Sequence, residues 1–371
     1  NSIVFAGYGI EDDAYNDYAP LNVTGKTIVI FLGEPKQDGK YLISGTTRSS
    51  EWTFPGLSKK LELAAKKGAA GVLIINPMAE TFNQRAIENS KKTNVYYPRS
   101  SAEKKLNFAN LSHVAAKNLL GSTSDSLINF AKKNRPFNKT DLFEKALPIE
   151  YRYAENRTVI NASNVLGFIE GTDKKDEYVF LTAHYDHLGV RDGKIYYGAD
   201  DDGSGTAGII HMAEVFAKAK AAGKGPRRTI VFMAFSGEEK GLLGSEYYSD
   251  NPVFPMEKTS VNLNTDMVGR IDTERKTGDT LNYVYVVGHD KLSSDLPVIN
   301  EAVNIKYTNL VLDYKFDDPN DPNRIYFRSD HYNFARKGVP VLFYYDGMLK
   351  ADYHKPTDTI EKINWALFET R

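Results

Sequence analysis

From Asn164 to Gly269 the chain alternates between two hydrophobic periods. "NVLGFIEG", "EYVFLTAHYDH", "RRTIVFMAFSGEE" and "SVNLNTDMVG" are short, nearly continuous apolar runs, while "GTAGIIHMAEVFAKAKA" and "GLLGSEYYSD" read as helices. A strand that is apolar on both faces must be covered on both faces, and helices set between strands supply the cover. The alternation predicts an α/β fold with a mostly parallel sheet flanked by helices. Sheets of this kind gather their chemistry at the carboxyl ends of the strands, so the residues just past each apolar run matter most.

Five clusters of acids and histidines lie at such places. "TAHYDHLG" offers His184 and Asp186, two apart on a strand and so on one face, with His187 directed to the other. "YYGADDDGSGTAG" crowds Asp200, Asp201 and Asp202 before a helix. Adjacent carboxylates repel, and an unpaired buried one is costly, so a cation suits this loop. An EF-hand is excluded, because the place of its bidentate Glu is held by His211 and a strand, not a helix, precedes the loop. Three carboxylates also suit a phosphate loop poorly. With no cysteine in the chain, a metal must be held by His, Asp and Glu. "FSGEEKGLLGS" pairs Glu238 with Glu239, which allows one metal ligand and one general base. "NLNTDMVGR" brings Asp266 to the end of an apolar strand, and "DYHKPTDT" sets His354 beside Tyr353.

The chain has 371 residues, which predicts two domains. Residues 1–140 open with "SIVFAGYGI" and "KTIVIFLGEP" and continue into "LSKKLELAAKKGAAGVLIINP", a small α/β or β-rich domain. The apolar pattern weakens between Asn107 and Asp141, and "KKNRPFNKTD" marks a boundary near residue 140, with residues 141–371 as the second domain. Lys and Arg (47) nearly cancel Asp and Glu (48) and form no long basic run, which excludes a nucleic-acid partner. No apolar run approaches the roughly 20 residues of a membrane span. "NSIVFAGYGI" at the start has no signal-peptide pattern, so a soluble, already trimmed chain is expected. In the loop "DYKFDDPNDPNR", the oxygens of Asp317, Asp318, Asn320, Asp321 and Asn323 suggest a structural calcium or an ordinary turn-rich loop.

In order and spacing, the five clusters resemble the co-catalytic zinc aminopeptidase family, whose relatives include glutamate carboxypeptidase and the transferrin receptor ectodomain; the resemblance covers about residues 160 to 365. It implies a zinc-exopeptidase type of fold and two zinc ions. His184, Asp201 and Asp266 would hold one, and Asp201, Glu239 and His354 the other. Asp201 is chosen as the bridge because it lies two before the Gly of "GSG", as the family's bridging aspartate does. Glu238 would be the general base, Asp186 would orient His184, and Tyr353 would assist an oxyanion. A cis peptide is expected after Asp201. His331 in "YFRSDHYNF" competes with His354, but reads as part of a helix start capped by Ser329 or Asp330. Residues 1–140 resemble the protease-associated domain that family members carry inserted in the catalytic domain, which would place the catalytic domain's own first helix and strand before residue 1.

The function implied is hydrolysis of the N-terminal bond of peptides by a zinc-bridged hydroxide, in a secreted or periplasmic enzyme. The surplus of carboxylates favours an ammonium over a terminal carboxylate, unless Arg270 or Arg328 inverts the local sign. The alternatives are a carboxypeptidase-type member, glutaminyl cyclisation and a metal-free binding or receptor module. The last requires a replaced ligand, and none is replaced.

Overall fold

The computed structural model describes residues 2–53, 56–81, 95–96, 106–146 and 158–371. The chain divides into two units, residues 1–93 with 99–157 and residues 94–98 with 158–371.

In the first unit, β1 (Ser2–Phe5), β2 (Thr27–Phe31), β3 (Gly71–Ile75), β4 (Phe108–Leu111) and β5 (Phe143–Ala146) form a sheet in the order β4-β3-β2-β1-β5. The first four strands are parallel, and β5 runs antiparallel to β1. β2 shows why helices are needed on both sides. Val29 and Phe31 enter one core with Ala116, Leu120, Leu127 and Ile128 from the helices His113–Leu120 and Ser124–Lys132. Ile28 and Ile30 enter another core with Ala64 and Leu61 of the helix Leu57–Lys66. The unit is therefore a layered α/β structure rather than a mainly β one. It also runs past residue 140, because Phe143–Ala146 supplies an edge strand.

The second unit holds β6 (Val165–Ile169), β7 (Lys174–His184), β8 (Arg228–Phe235), β9 (Thr259–Thr265), β10 (Tyr283–Val287), β11 (Val311–Asp313) and β12 (Val341–Tyr345) in one sheet of order β6-β8-β7-β9-β12-β10-β11. The inner four, β8-β7-β9-β12, are parallel, while β6 and β10 are antiparallel to their inner neighbours, so the sheet is mixed. Successive residues of the apolar strands serve opposite faces. Phe180, Val231, Met233 and Phe235 pack with Tyr248 of the helix Leu243–Asp250 and Phe334 of the helix His331–Ala335. Leu181, Ala183, Ile230 and Phe232 pack with Ile209 and Phe216 of the helix Gly203–Ala221. β9 departs from the apolar pattern. Its fully buried Asn262 and Asn264 join Thr182 and Ser329 in a hydrogen-bonded row, with Thr182 Oγ1 donating to Asn264 Oδ1 at 2.7 Å.

The register brings the carboxyl ends of the parallel strands level: His184 lies opposite Phe235, and Thr265 opposite Tyr344. The acidic loops therefore leave the sheet along one edge. No helix among the described residues is long and apolar enough to cross a membrane.

Candidate metal centre

The three successive aspartates have three different roles. Asp202 is a backbone anchor: its carboxylate accepts from the amides of His184 (3.0 Å), Gly205 (2.9 Å) and Met267 (3.1 Å), capping the helix Gly203–Ala221 and tying three loops together. Gly205 must be glycine, since a Cβ there would stand 2.4 Å from both Asp202 Oδ1 and the Thr265 carbonyl oxygen. Asp200 accepts from the amide of Gly269 at 2.9 Å, and Asp358 accepts from the amides of Asp200 and Asp201. Only Asp201 turns its carboxylate to the site. The peptide that follows it is cis.

Around Asp201 the ligand-type atoms form two groups. Oδ1 lies 3.3 Å from His184 Nε2, which is itself 3.7 Å from Asp266 Oδ1 and 3.8 Å from Glu238 Oε2. Oδ2 lies 3.2 Å from His354 Nε2, which is 3.0 Å from Glu239 Oε2. One carboxylate thus faces both groups, one oxygen to each. His354 adopts φ 55°, a left-handed backbone that side-chain-bearing residues avoid and that functional sites hold against its cost.

The electrostatics call for positive charge. Burial opposes a protonated His184, yet Asp266, Asp201 and Glu238 outweigh it and hold its pKa well above the usual range. Burial likewise opposes the His354 cation, but Asp201 and Glu239 push its pKa up to about 9. His184 Nε2, Asp201 Oδ2 and Glu239 Oε1 are buried and have no hydrogen-bond partner among the described residues. Buried polar atoms are almost always satisfied, and orphaned nitrogen and oxygen donors converging in this way fit zinc, which takes His and carboxylate ligands.

His187 belongs to this site, contrary to the expectation that it faces away. Its Nδ1 is 2.8 Å from Glu239 Oε1 and 3.9 Å from Asp201 Oδ2. The face-alternation argument fails because β7 ends at His184 and the chain turns there. Gly198 makes room, since a Cβ would come within 2.4 Å of the His187 ring. Asp186 lies against His184 as expected and does a second job as well. Its backbone oxygen is 2.9 Å from His184 Nδ1 and its carboxylate 3.8 Å, and that carboxylate also accepts from the amides of Glu238 (3.0 Å) and Glu239 (3.4 Å). Asp186 thereby fixes the turn that presents the paired glutamates.

His331 lies apart from both groups, fully buried and stacked on Phe343 at 4.6 Å. Burial lowers its pKa to about 3, so it is a neutral core residue. Neither Ser329 nor Asp330 caps its helix through a side chain. Zinc counting on two variants checks the choice: His354→Ala is expected to lose metal and His331→Ala to keep it, and the reverse pattern would contradict the assignment. In the loop considered for calcium, Asp317 accepts from the amides of Gly288 and His289, and Asp318 and Asp321 accept from nearby amides of their own loop. Arg270 is committed too, 2.8 Å from Asp352 and 3.9 Å from Asp358.

Residues 164–371 match the family model described as Peptidase family M28. A probable zinc metalloprotease of Pyrenophora teres f. teres (strain 0-1) is 37% identical over 132 residues, 33% of this chain and 26% of that protein. A probable leucine aminopeptidase of Trichophyton verrucosum (strain HKI 0517) is 28% identical over 197 residues, 52% of this chain and 50% of that protein. Among solved structures, the aminopeptidase from Aneurinibacillus sp. strain AM-1 aligns with 99% of this chain and 71% of its own, at a TM-score of 0.49 and 17% identity. The chain spans about a quarter to a half of the length of these two curated relatives.

Proposed function

The chain belongs to peptidase family M28, and we propose that it is a zinc exopeptidase that removes residues from the amino ends of peptides. The observation that carries the reading is Asp201, whose two oxygens face two separate sets of ligand atoms. His184, Asp201 and Asp266 would hold one zinc, and Asp201, Glu239 and His354 the other. Zinc held there supplies Lewis acidity and makes water available as a nucleophile near neutral pH.

The remaining chemistry falls to the side chains. Glu238 is the general base. Burial, reinforced by Asp266, Asp330 and Asp201, raises its pKa well above the ordinary value, although His184 opposes this, so it takes a proton from water more readily than an exposed glutamate and can return it to the leaving amine. Tyr353 stacks on His354 with centroids 3.8 Å apart, and its hydroxyl accepts from Arg328 Nη2 at 2.9 Å. Burial and then Asp201 raise its pKa, so it stays a neutral phenol with its own proton free to meet a developing oxyanion. Two divalent ions would balance the four carboxylates of Asp201, Glu238, Glu239 and Asp266, and Asp186 leaves a negative surplus that suits an ammonium.

Arg328 favours a second reading. No carboxylate pairs with it among the described residues, and it lines the cleft beside Glu238, where it could receive a terminal carboxylate as a carboxypeptidase requires. Leucine anilide, its N-acetylated form and an acidic C-terminal dipeptide blocked at its amino end separate the readings. Turnover of the first alone is expected, and hydrolysis of the blocked dipeptide would establish the carboxypeptidase reading instead. In the same proposal the first unit is a protease-associated domain, on the strength of "FAGYGI", "GKTIVIFLGEP" and the helix-strand pair Leu57–Ile75.

A further inference from the structure

Beside the paired glutamates lies an open cleft that also takes in Arg328, Tyr345 and Tyr353. Asp201, Glu238 and Asp266 form its metal side, and Met267, Ile325, Phe343 and Leu349 give it apolar walls. Two polar groups interrupt those walls. Tyr345, at the end of β12, is only 3% exposed, and its hydroxyl is buried with no hydrogen-bond partner among the described residues. The ring is held by Phe343 (5.5 Å) and Phe316 (5.7 Å), so the hydroxyl cannot swing out to water. Burial, then Asp346 and Asp266, hold the phenol's pKa well above its ordinary value, which keeps the group a donor. The second group is Arg328, exposed at the cleft, braced by Tyr353 and without a carboxylate partner among the described residues.

A purely apolar substrate side chain would leave a buried donor unsatisfied here, and sites built around such donors reject partners that lack the matching group. We propose that this cleft selects an amino-terminal residue whose side chain ends in an oxygen acceptor, with the Tyr345 hydroxyl and the Arg328 guanidinium donating to it. The inference rests on the aminopeptidase reading, because the residue whose carbonyl is attacked by the water that Glu238 deprotonates is the one that drops its side chain into the cleft. Glutamine and glutamate carry such an oxygen on a side chain of suitable length, one as an amide and the other as a carboxylate.

The test compares kcat/KM for the p-nitroanilides of glutamine, glutamate and leucine, using the full chain, Tyr345→Phe and Arg328→Met, each checked for zinc content and melting temperature. At least one of the two oxygen-bearing substrates is expected to exceed leucine by about tenfold or more, and Tyr345→Phe to cut that ratio by about tenfold. A fall in the glutamate to glutamine ratio in Arg328→Met assigns the preferred ligand as the carboxylate. An unchanged ratio assigns it as the amide, with the phenol as the main donor. Preference for leucine in the parent, or a selectivity ratio that Tyr345→Phe leaves unchanged, overturns the proposal while the aminopeptidase reading stands. Failure to turn over any of the anilides overturns both.

Discussion

Glu238→Gln is expected to lower turnover by at least about 10²-fold, the lower range for lost acid-base catalysis, with zinc content and melting temperature near those of the parent. The replacement is nearly isosteric, and the turn that carries residue 238 is held from outside by the Asp186 carboxylate through two backbone amides. Glu239→Gln is the contrast, because Glu239 Oε2 is 3.0 Å from His354 Nε2 and its other oxygen meets His187. That variant should lose metal and activity together. Equal loss of zinc from the two variants would show the division of labour to be wrong.

Asp201→Asn should be more damaging still, removing zinc from both positions and turnover with it. Burial alone would favour a protonated Asp201, but the adjacent His184 and His354 reverse this and hold its pKa below the usual carboxylate range. An amide brings no charge and offers an NH2 where one oxygen stood, so one of the two histidines would face a donor. Metal sites lose affinity even when only their supporting groups change, and here a shared ligand is altered. Because Asp202 caps the helix and Asp200 and Asp358 fix the loop backbone, the fold does not depend on this carboxylate. Zinc per chain and circular dichroism check both halves of the expectation. Retention of one zinc would mean that Asp201 serves a single group.

The parallel core of the second unit was legible because its strands, apolar on both faces, read as continuous runs, and the helices between them kept their own period. The positions of His184, Glu238, Glu239 and Asp266 followed from where those runs stop, whereas Asp201 was singled out from its triplet by the family resemblance. What the runs could not show was where a strand ends within one residue. β7 stops at His184, so the two-residue alternation carried past it misplaced His187. Asn262 and Asn264 were hidden for another reason: a buried amide looks the same in sequence as an exposed one, and only the facing Thr182 makes it tolerable. In the first unit, the weak pattern between residues 107 and 141 contains two helices. Their buried faces rely partly on Ala116, Ala131 and Ser124, whose small side chains carry little hydrophobic signal.

The most direct measurement is the zinc content of the purified chain during titration of zinc into metal-free protein, with leucine and glutamine anilide turnover followed alongside. Two zinc ions per chain are expected, with turnover absent from the metal-free protein and restored as the ions bind. Full turnover by protein that holds no metal, or saturation without any turnover or with no zinc held at His184 and His354, would contradict the account.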